Sequence, residues 1–355
     1  MKNVHFTSIK IAGMACGIPT HQMNTMDYVE YFGEKVIKRF VRTTGIKSRY
    51  VGNGHQTASD LCVVAAQALF KERKIKREDV DLIIFLTQNP DYQTPSTAFV
   101  IQKRLRLNEQ CVCFDVNMGC TSFLHGISIA ASMINAGSAS NALVMMGDAR
   151  LPHPISRDTA ATMMFGEAGG VIALTKGNGD ITMDLFSDGY HFDWIMNPFG
   201  ERLRDENDNF DLKQFFDFMD GGAVFNFAVG RVPEAINDFC KKKGTVVNDY
   251  DAIILHQANG FILRHIANEI GIDDNKLAIS MDRYGNTNGA SIPVTIVDYI
   301  EQSSSQQDEF HFLVSGFGIG LSWGVMDMKV NREDVLPMIF TDDYNKEAKE
   351  LACYN

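Results

Sequence analysis

The feature that most constrains the fold is a repeat inside the chain. Asp81-Leu-Ile-Ile-Phe-Leu-Thr-Gln-Asn89 returns in the second half as Asp251-Ala-Ile-Ile-Leu-His-Gln-Ala-Asn259. Each apolar run leads into a stretch of helical patterning, Thr97–Leu107 and Gly260–Ile270. Each helix then leads to a short strand and a Gly-containing turn that opens another helix, Asn117-Met-Gly-Cys120 and Tyr284-Gly-Asn-Thr-Asn288. A third pair, Ala142-Leu-Val-Met-Met-Gly147 and Phe310-His-Phe-Leu-Val-Ser-Gly316, has the composition of buried strands that end in Gly. Three matches in one order indicate an internal duplication. Short apolar strands alternating with amphipathic helices predict α/β layering with buried sheets. Similar halves set face to face bring both glycine turns to a shared centre.

The boundary is expected near Thr175–Asp180, where TKGNGD has loop composition. This gives a first half of 1–176, a second half of 177–330 and an extension of 331–355. The extension reads as a short helical element without chemistry, and Gly189–Asp211 as an insertion. At 355 residues, 45% of them hydrophobic and 22% charged, the chain has ample material for a large core.

Composition also excludes whole classes of function. A formal charge of -11 argues against nucleic-acid binding by the general surface. No run of about 18 apolar residues predicts a membrane span, and the N-terminus lacks a secretory pattern. Seven cysteines, an odd number without framework spacing, predict free thiols in a reducing compartment, by default the cytoplasm. Cys111 and Cys113 are expected on one side of a strand. With no CxxC, HExxH or zinc-like cluster, no metal is expected.

Three residues stand out chemically. Cys120 falls where a strand expected to be buried, Val112–Val116, turns through Gly119 into a helix starting near Thr121. A thiol at a helix N-terminus faces the positive end of the macrodipole and unpaired N–H groups, which favours the thiolate. His256 ends the apolar strand Ala252–Leu255, at the edge of a cleft. Asn286 lies in the second glycine turn, where Asn is also ordinary turn chemistry. Cysteine, histidine and asparagine together serve papain-like amide hydrolysis or thioester condensation. The local protease signatures are absent, and a duplicated α/β pattern does not suit that fold. In condensation the thiolate takes an acyl group, and two neutral donors hold a second thioester carbonyl as it becomes an enolate.

These residues resemble the β-ketoacyl-acyl carrier protein synthase III group of thiolase-fold enzymes, over most of residues 1–330. The resemblance is carried by Thr44-Gly-Ile46 with Arg49, Asp115-Val-Asn-Met-Gly-Cys120, Phe165-Gly-Glu-Ala-Gly169, His256-Gln-Ala-Asn259, Tyr284-Gly-Asn-Thr287 with Ala290-Ser-Ile-Pro293, and Gly316-Phe-Gly-Ile-Gly320 with Trp323-Gly324. It implies a thiolase-like fold of two similar βαβαβαββ halves in five α-β-α-β-α layers. It implies Cys120 as acyl acceptor, His256 and Asn286 as the decarboxylation pair, and an oxyanion hole from the backbone amides of Cys120 and Ile319. It further implies a substrate pocket including Thr94, Phe165 and Asn259, and a homodimer. No bound cofactor is implied: coenzyme A or phosphopantetheine thioesters are substrates, and the partner is an acyl carrier protein or acyl-CoA.

Where the family holds coenzyme A with a Trp and an Arg, this chain has Arg39 and Thr43. Thr94 stands where an aromatic from the neighbouring subunit closes the pocket, and Phe261 where a basic residue docks the carrier. Ile319 replaces the middle glycine of a triplet, where a β-branched residue resists positive φ. Two basic patches are candidates for docking an acidic carrier: Lys35, Lys38, Arg39, Arg42, Lys47 and Arg49, and separately Lys241–Lys243. Arg39, Arg42 and Thr43 are the favoured docking residues.

The leading expectation is decarboxylative Claisen condensation of an acyl thioester with a malonyl thioester, in fatty acid or secondary lipid or polyketide synthesis. A second reading is acyl transfer from Cys120 to a hydroxyl, an amine or another non-malonyl acceptor. A third is a non-catalytic, acyl-chain-binding or complex-forming homologue. Hydroxymethylglutaryl-CoA synthase chemistry calls for a catalytic Glu where this chain has Gln88-Asn-Pro-Asp91.

Overall fold

The duplicated apolar runs become strands of two mixed sheets. In the computed structural model, which describes residues 4–149, 162–197 and 218–347, the first sheet orders its strands Ile339–Thr341, Ile9–Pro19, Ala168–Lys176, Asn141–Asp148, Leu82–Leu86 and Val112–Val116. The second orders them Val4–Phe6, Ile181–Ser187, Ser322–Asn331, Glu309–Gly318 and Ala252–Leu255. Directions match as well as order. Starting from Ile9–Pro19, successive pairs run antiparallel, antiparallel and parallel. Starting from Ile181–Ser187, they do the same. The chain passes from one sheet to the other between Lys176 and Ile181.

Two helices, Ser122–Asn135 and Ser291–Gln302, lie between the sheets and share one core with both. Phe123, Leu124 and Ile127 from one, and Ile292, Ile296 and Ile300 from the other, pack with Ile84, Ile172, Ile254 and Val314 of the strands. Each such side chain, fully buried, contributes roughly 1.5–3 kcal/mol. The small residues of the first helix serve close approach: a β-carbon at Gly126 would sit 2.8 Å from Leu86 Cδ1. Outside, Ala58–Lys71 and Thr97–Leu105 cover the first sheet, and Gly221–Lys243 and Gly260–Ile270 the second. The layers are therefore α-β-α-β-α.

Three expectations need correction. The extension is helical only in the 3-10 turn Arg332–Asp334 over its first part, after which Ile339–Thr341 adds a parallel strand beside Ile9–Pro19, while Val4–Phe6 joins the opposite sheet. The strand Val112–Val116 is not buried, because it is the edge of its sheet and leaves Val112 47% exposed. Its counterpart in the second half is a single bridge between Ile253 and Leu277.

Of the insertion, Gly189–Trp194 is a 3-10 helix, and Ile195–Met196 pairs with Phe218–Met219. The rest of that insertion, and residues 348–355 of the extension, lie outside the described residues. Cys111 and Cys113 point the same way, their Sγ atoms 3.9 Å apart. No described helix is long and apolar enough to cross a membrane.

Candidate active site

Cys120 lies in the turn after Val112–Val116, one residue before the cap Thr121 of the Ser122–Asn135 helix, and is partly exposed. That turn is clamped from the other half. A β-carbon at Gly318 would lie 2.7 Å from Cys120 Sγ, so only glycine lets this segment approach the thiol. Ser322 Oγ accepts from Thr121 Oγ1 at 2.8 Å and donates to Ile319 O at 2.8 Å, which ties the glycine-rich segment to the start of the helix. The second glycine turn packs here too, since a β-carbon at Gly289 would sit 3.3 Å from Gly119 O. Both glycine turns thus meet at one centre.

The glycine-rich segment accommodates Ile319 without strain. Its neighbours Gly318 and Gly320 take the positive φ values, +153° and +135°, and Ile319 does not. Among the described residues the Ile319 N–H makes no backbone hydrogen bond.

His256 follows Ala252–Leu255, its N–H donating to Ser315 O at 2.8 Å. It is 2% exposed. Its Nδ1 lies 2.7 Å from Ser291 Oγ, and Phe317 meets the ring edge-on at 5.6 Å. Burial pushes the imidazole down to about 3, because a charged ring would be stripped of water there. The ring is therefore neutral near pH 7. Ser291, in the first turn of the second inter-sheet helix, belongs to the Ala290-Ser-Ile-Pro293 motif, but nothing in the sequence assigns it a role of its own.

Asn286 is held three ways. Its N–H donates to Met164 O, its C=O accepts from Gly166 N, and its Oδ1 accepts from Asn288 N at 2.9 Å. Asn288 takes a left-handed φ of +49° to make that turn. Among the described residues the side-chain Nδ2 has no hydrogen-bond partner, which leaves it as a donor. Phe165 bridges directly to Asn286 and is half-buried.

The motif partners of His256 hold the scaffold. Gln257 is fully buried: Nε2 donates to Leu255 O, and Oε1 accepts from Ser280 N and Met281 N. Asn259, expected in the substrate pocket, caps the Gly260–Ile270 helix by accepting from Ile262 N at 3.0 Å. Thr94 is exposed.

The first basic patch loses a member. Arg49 is 5% exposed, donates to Tyr28 Oη at 2.7 Å, and cannot contribute to a docking face. Lys38 is paired with Glu34. Arg39, Arg42 and Thr43 are exposed because Ile37, Phe40 and Thr44 take the buried face of Glu34–Thr44. Gly45, at φ +82°, stops that helix. The second patch is mostly spent: Lys242 pairs with Asp184 and Lys243 with Asp327. Phe261 is exposed, stacks on Phe225 at 5.1 Å and meets the His265 ring tilted at 4.2 Å.

Comparison with known proteins gives a consistent answer. Residues 114–189 match the profile of 3-oxoacyl-[acyl-carrier-protein (ACP)] synthase III, and 240–330 that of its C-terminal part. The chain is 35% identical to a beta-ketoacyl-[acyl-carrier-protein] synthase III of Clostridium tetani, over 81% of this chain and 88% of that one. It is 31% identical to the corresponding enzyme of Desulfitobacterium hafniense, over 92% and 99%. A solved 3-oxoacyl-(acyl-carrier protein) synthase from Burkholderia xenovorans superimposes with a TM-score of 0.87 at 28% identity, covering 96% of this chain and 99% of that one.

Proposed function

The chain belongs to the 3-oxoacyl-[acyl-carrier-protein] synthase III family, and from that premise we propose how its own residues divide the labour. It is a condensing acyltransferase of fatty acid synthesis, joining an acyl thioester to a malonyl thioester with loss of carbon dioxide. In this reading Cys120 Sγ attacks the donor thioester carbonyl, the amides of Cys120 and Ile319 receive the oxyanion, and the donor thiol leaves.

Malonyl-carrier then binds with its thioester carbonyl on His256 and Asn286. The bond to the carboxylate breaks, its electron pair passes into the enolate, and carbon dioxide departs. The enolate carbon attacks the acyl-Cys120 carbonyl. The C–S bond breaks, the pair returns to Sγ, and a β-ketoacyl thioester leaves.

The buried imidazole with Ser291 Oγ 2.7 Å from its Nδ1 is the observation that carries this reading, and burial favours its neutral form. Ser291 donating to Nδ1 leaves the ring proton on Nε2, where it can donate to an enolate oxygen. Asn286, with Oδ1 committed to Asn288, presents Nδ2 for the same task. Phe165, beside Asn286, would line the acyl pocket.

The exposed edge strand Val112–Val116 suits pairing with a second copy, and Thr94 would then face the partner's pocket. Arg39 and Arg42 make no ion pair among the described residues and would meet carrier or coenzyme A phosphates, with Thr43 beside them. The test is intact mass spectrometry over a panel of acyl-CoA donors, followed by product assay with malonyl-carrier. Acylation should add the acyl mass to the wild type and none to Cys120→Ser. A wild type that acylates but yields no β-ketoacyl product with malonyl-carrier overturns the reading.

A further inference from the structure

The strand Leu82–Leu86 ends on a carboxamide that the scheme above does not use. Thr87, Gln88 and Asn89 wrap the buried carboxylate of Asp148. Its Oδ1 accepts from Thr87 Oγ1 at 3.1 Å, from Gln88 N at 2.8 Å and from Asn89 Nδ2 at 3.4 Å. Asp148 Oδ2 also faces Gly289 N at 3.5 Å, so the strand tip is braced against the turn that carries Asn286. The backbone N–H of Gln88 is fixed on Asp148, yet among the described residues neither end of its side-chain amide is hydrogen-bonded.

That side chain lies on the nucleophile turn. A β-carbon at Gly119 would run into Gln88 Oε1, and would lie 3.3 Å from Ile319 Cγ2. Gln88 and Ile319 therefore both lie against the residue before Cys120. Rotation about the last side-chain bond exchanges the oxygen and the Nε2 donor beside that turn.

We propose that Gln88 positions the acceptor by donating a hydrogen bond from Nε2 to the malonyl carboxylate before that group leaves as carbon dioxide. The inference rests on the malonyl reading above and names how the acceptor is selected. A cation here would stabilise the carboxylate in the bound substrate and oppose its loss, since only interactions stronger in the transition state accelerate the step. A neutral carboxamide orients the group without holding it as an ion pair. Gln88 also cannot take a proton from the α-carbon of an uncarboxylated thioester, and His256 is engaged as a donor. Loss of carbon dioxide is then the route to the carbanion.

The experiment separates the two half-reactions in Gln88→Glu, which keeps size but adds like charge, and Gln88→Leu, which keeps bulk but removes the donor. Acylation of Cys120 is followed by intact mass. Malonyl-carrier decarboxylation is followed by labelled carbon dioxide release, and condensation by product. With Gln88→Glu, the KM for malonyl-carrier should rise at least about tenfold and kcat/KM fall about 100-fold, with acylation within about twofold. Gln88→Leu should lose about tenfold in kcat/KM for malonyl-carrier.

Wild-type malonyl kinetics in Gln88→Glu would overturn the proposal. Equal losses in acylation and condensation, in both variants, would also overturn it, since residue 88 would then only support the turn. A wild type that acylates but never releases carbon dioxide from malonyl-carrier refutes the functional reading itself.

Discussion

The two halves present the same strand tip to the same centre and use it differently. After Leu86 the first half continues Thr87-Gln88-Asn89, folded over Asp148, and sends its reactive group from the next turn, at Cys120. After Leu255 the second half puts a reactive group on the tip itself, His256, and a donor in its turn, Asn286. In the proposed scheme one copy carries the group that bears the acyl chain, and the other the groups that hold the growing negative charge. Duplication supplies two equivalent platforms, and a central contact such as Gly318 against Cys120 makes one site of them. The lesson is that the functions should be separable by mutation even though the site is shared.

His256→Ala tests that separation most severely. It should leave acylation of Cys120 within a few-fold of wild type, while condensation falls by about 10³, the upper range for loss of one preorganised donor. Rapid-quench mass measurements give the first rate and product assay the second. Parallel losses in both would erase the division between halves. Asn286→Ala should follow the same pattern with about 10² in condensation, since His256 still holds the carbonyl.

Ser291→Ala sharpens the comparison within the second half. Without its hydroxyl the Nδ1 of His256 is unpartnered and the tautomer unfixed. Condensation should drop about tenfold, acylation should not change, and Ser291→Thr should recover part of the loss. Full activity in Ser291→Ala would show that the ring proton needs no second anchor.

The imidazole also gives the second half a pH signature, as burial of His125 in the Ser122–Asn135 helix gives a downward shift in the first. Its folded pKa, about 3, lies below the ordinary 6.5, so between those values the unfolded chain binds a proton that the folded chain refuses. The contribution is fully present above pH 6.5 and is lost as pH falls toward 3, at up to about 1.4 kcal/mol per unit. Denaturation midpoints from pH 7 to 4 should fall less steeply in His256→Asn than in wild type. Identical slopes would mean that this ring does not set the acid limit.

Much of this was legible because it lives in local pattern. Val112–Val116 and Gly260–Ile270 lie where the apolar runs and periodicity put them, and Cys120 sits at a strand-to-helix turn. Burial was harder to read. Arg49 looks like its basic neighbours in sequence, but its position on a short strand turns it under Tyr28. Ile339–Thr341 has no alternation to announce it, because its pairing is set by Ile9–Pro19 rather than by its own residues. Asn259 was read for its place in a motif, whereas its side chain satisfies a helix end, a role any capping Asn can take.

That last difference yields the smallest and cleanest comparison of the halves. The helix after each strand tip is capped, but by different means. In the second half Asn259 caps its own helix through one bond to Ile262 N. In the first half the carboxylate of Asp115, on the neighbouring strand, takes Thr97 N at 2.6 Å and Ala98 N at 2.8 Å. Asn259→Ala should therefore cost about 1 kcal/mol in urea unfolding, the usual value of a lost cap. Asp115→Ala should cost about 2 kcal/mol, since a charged acceptor leaves two buried N–H groups and the strand loses its tie to the helix. If Asn259→Ala instead kept full stability and raised KM for the acyl donor tenfold, the residue would belong to the pocket that its motif suggested. Its cap would then be incidental.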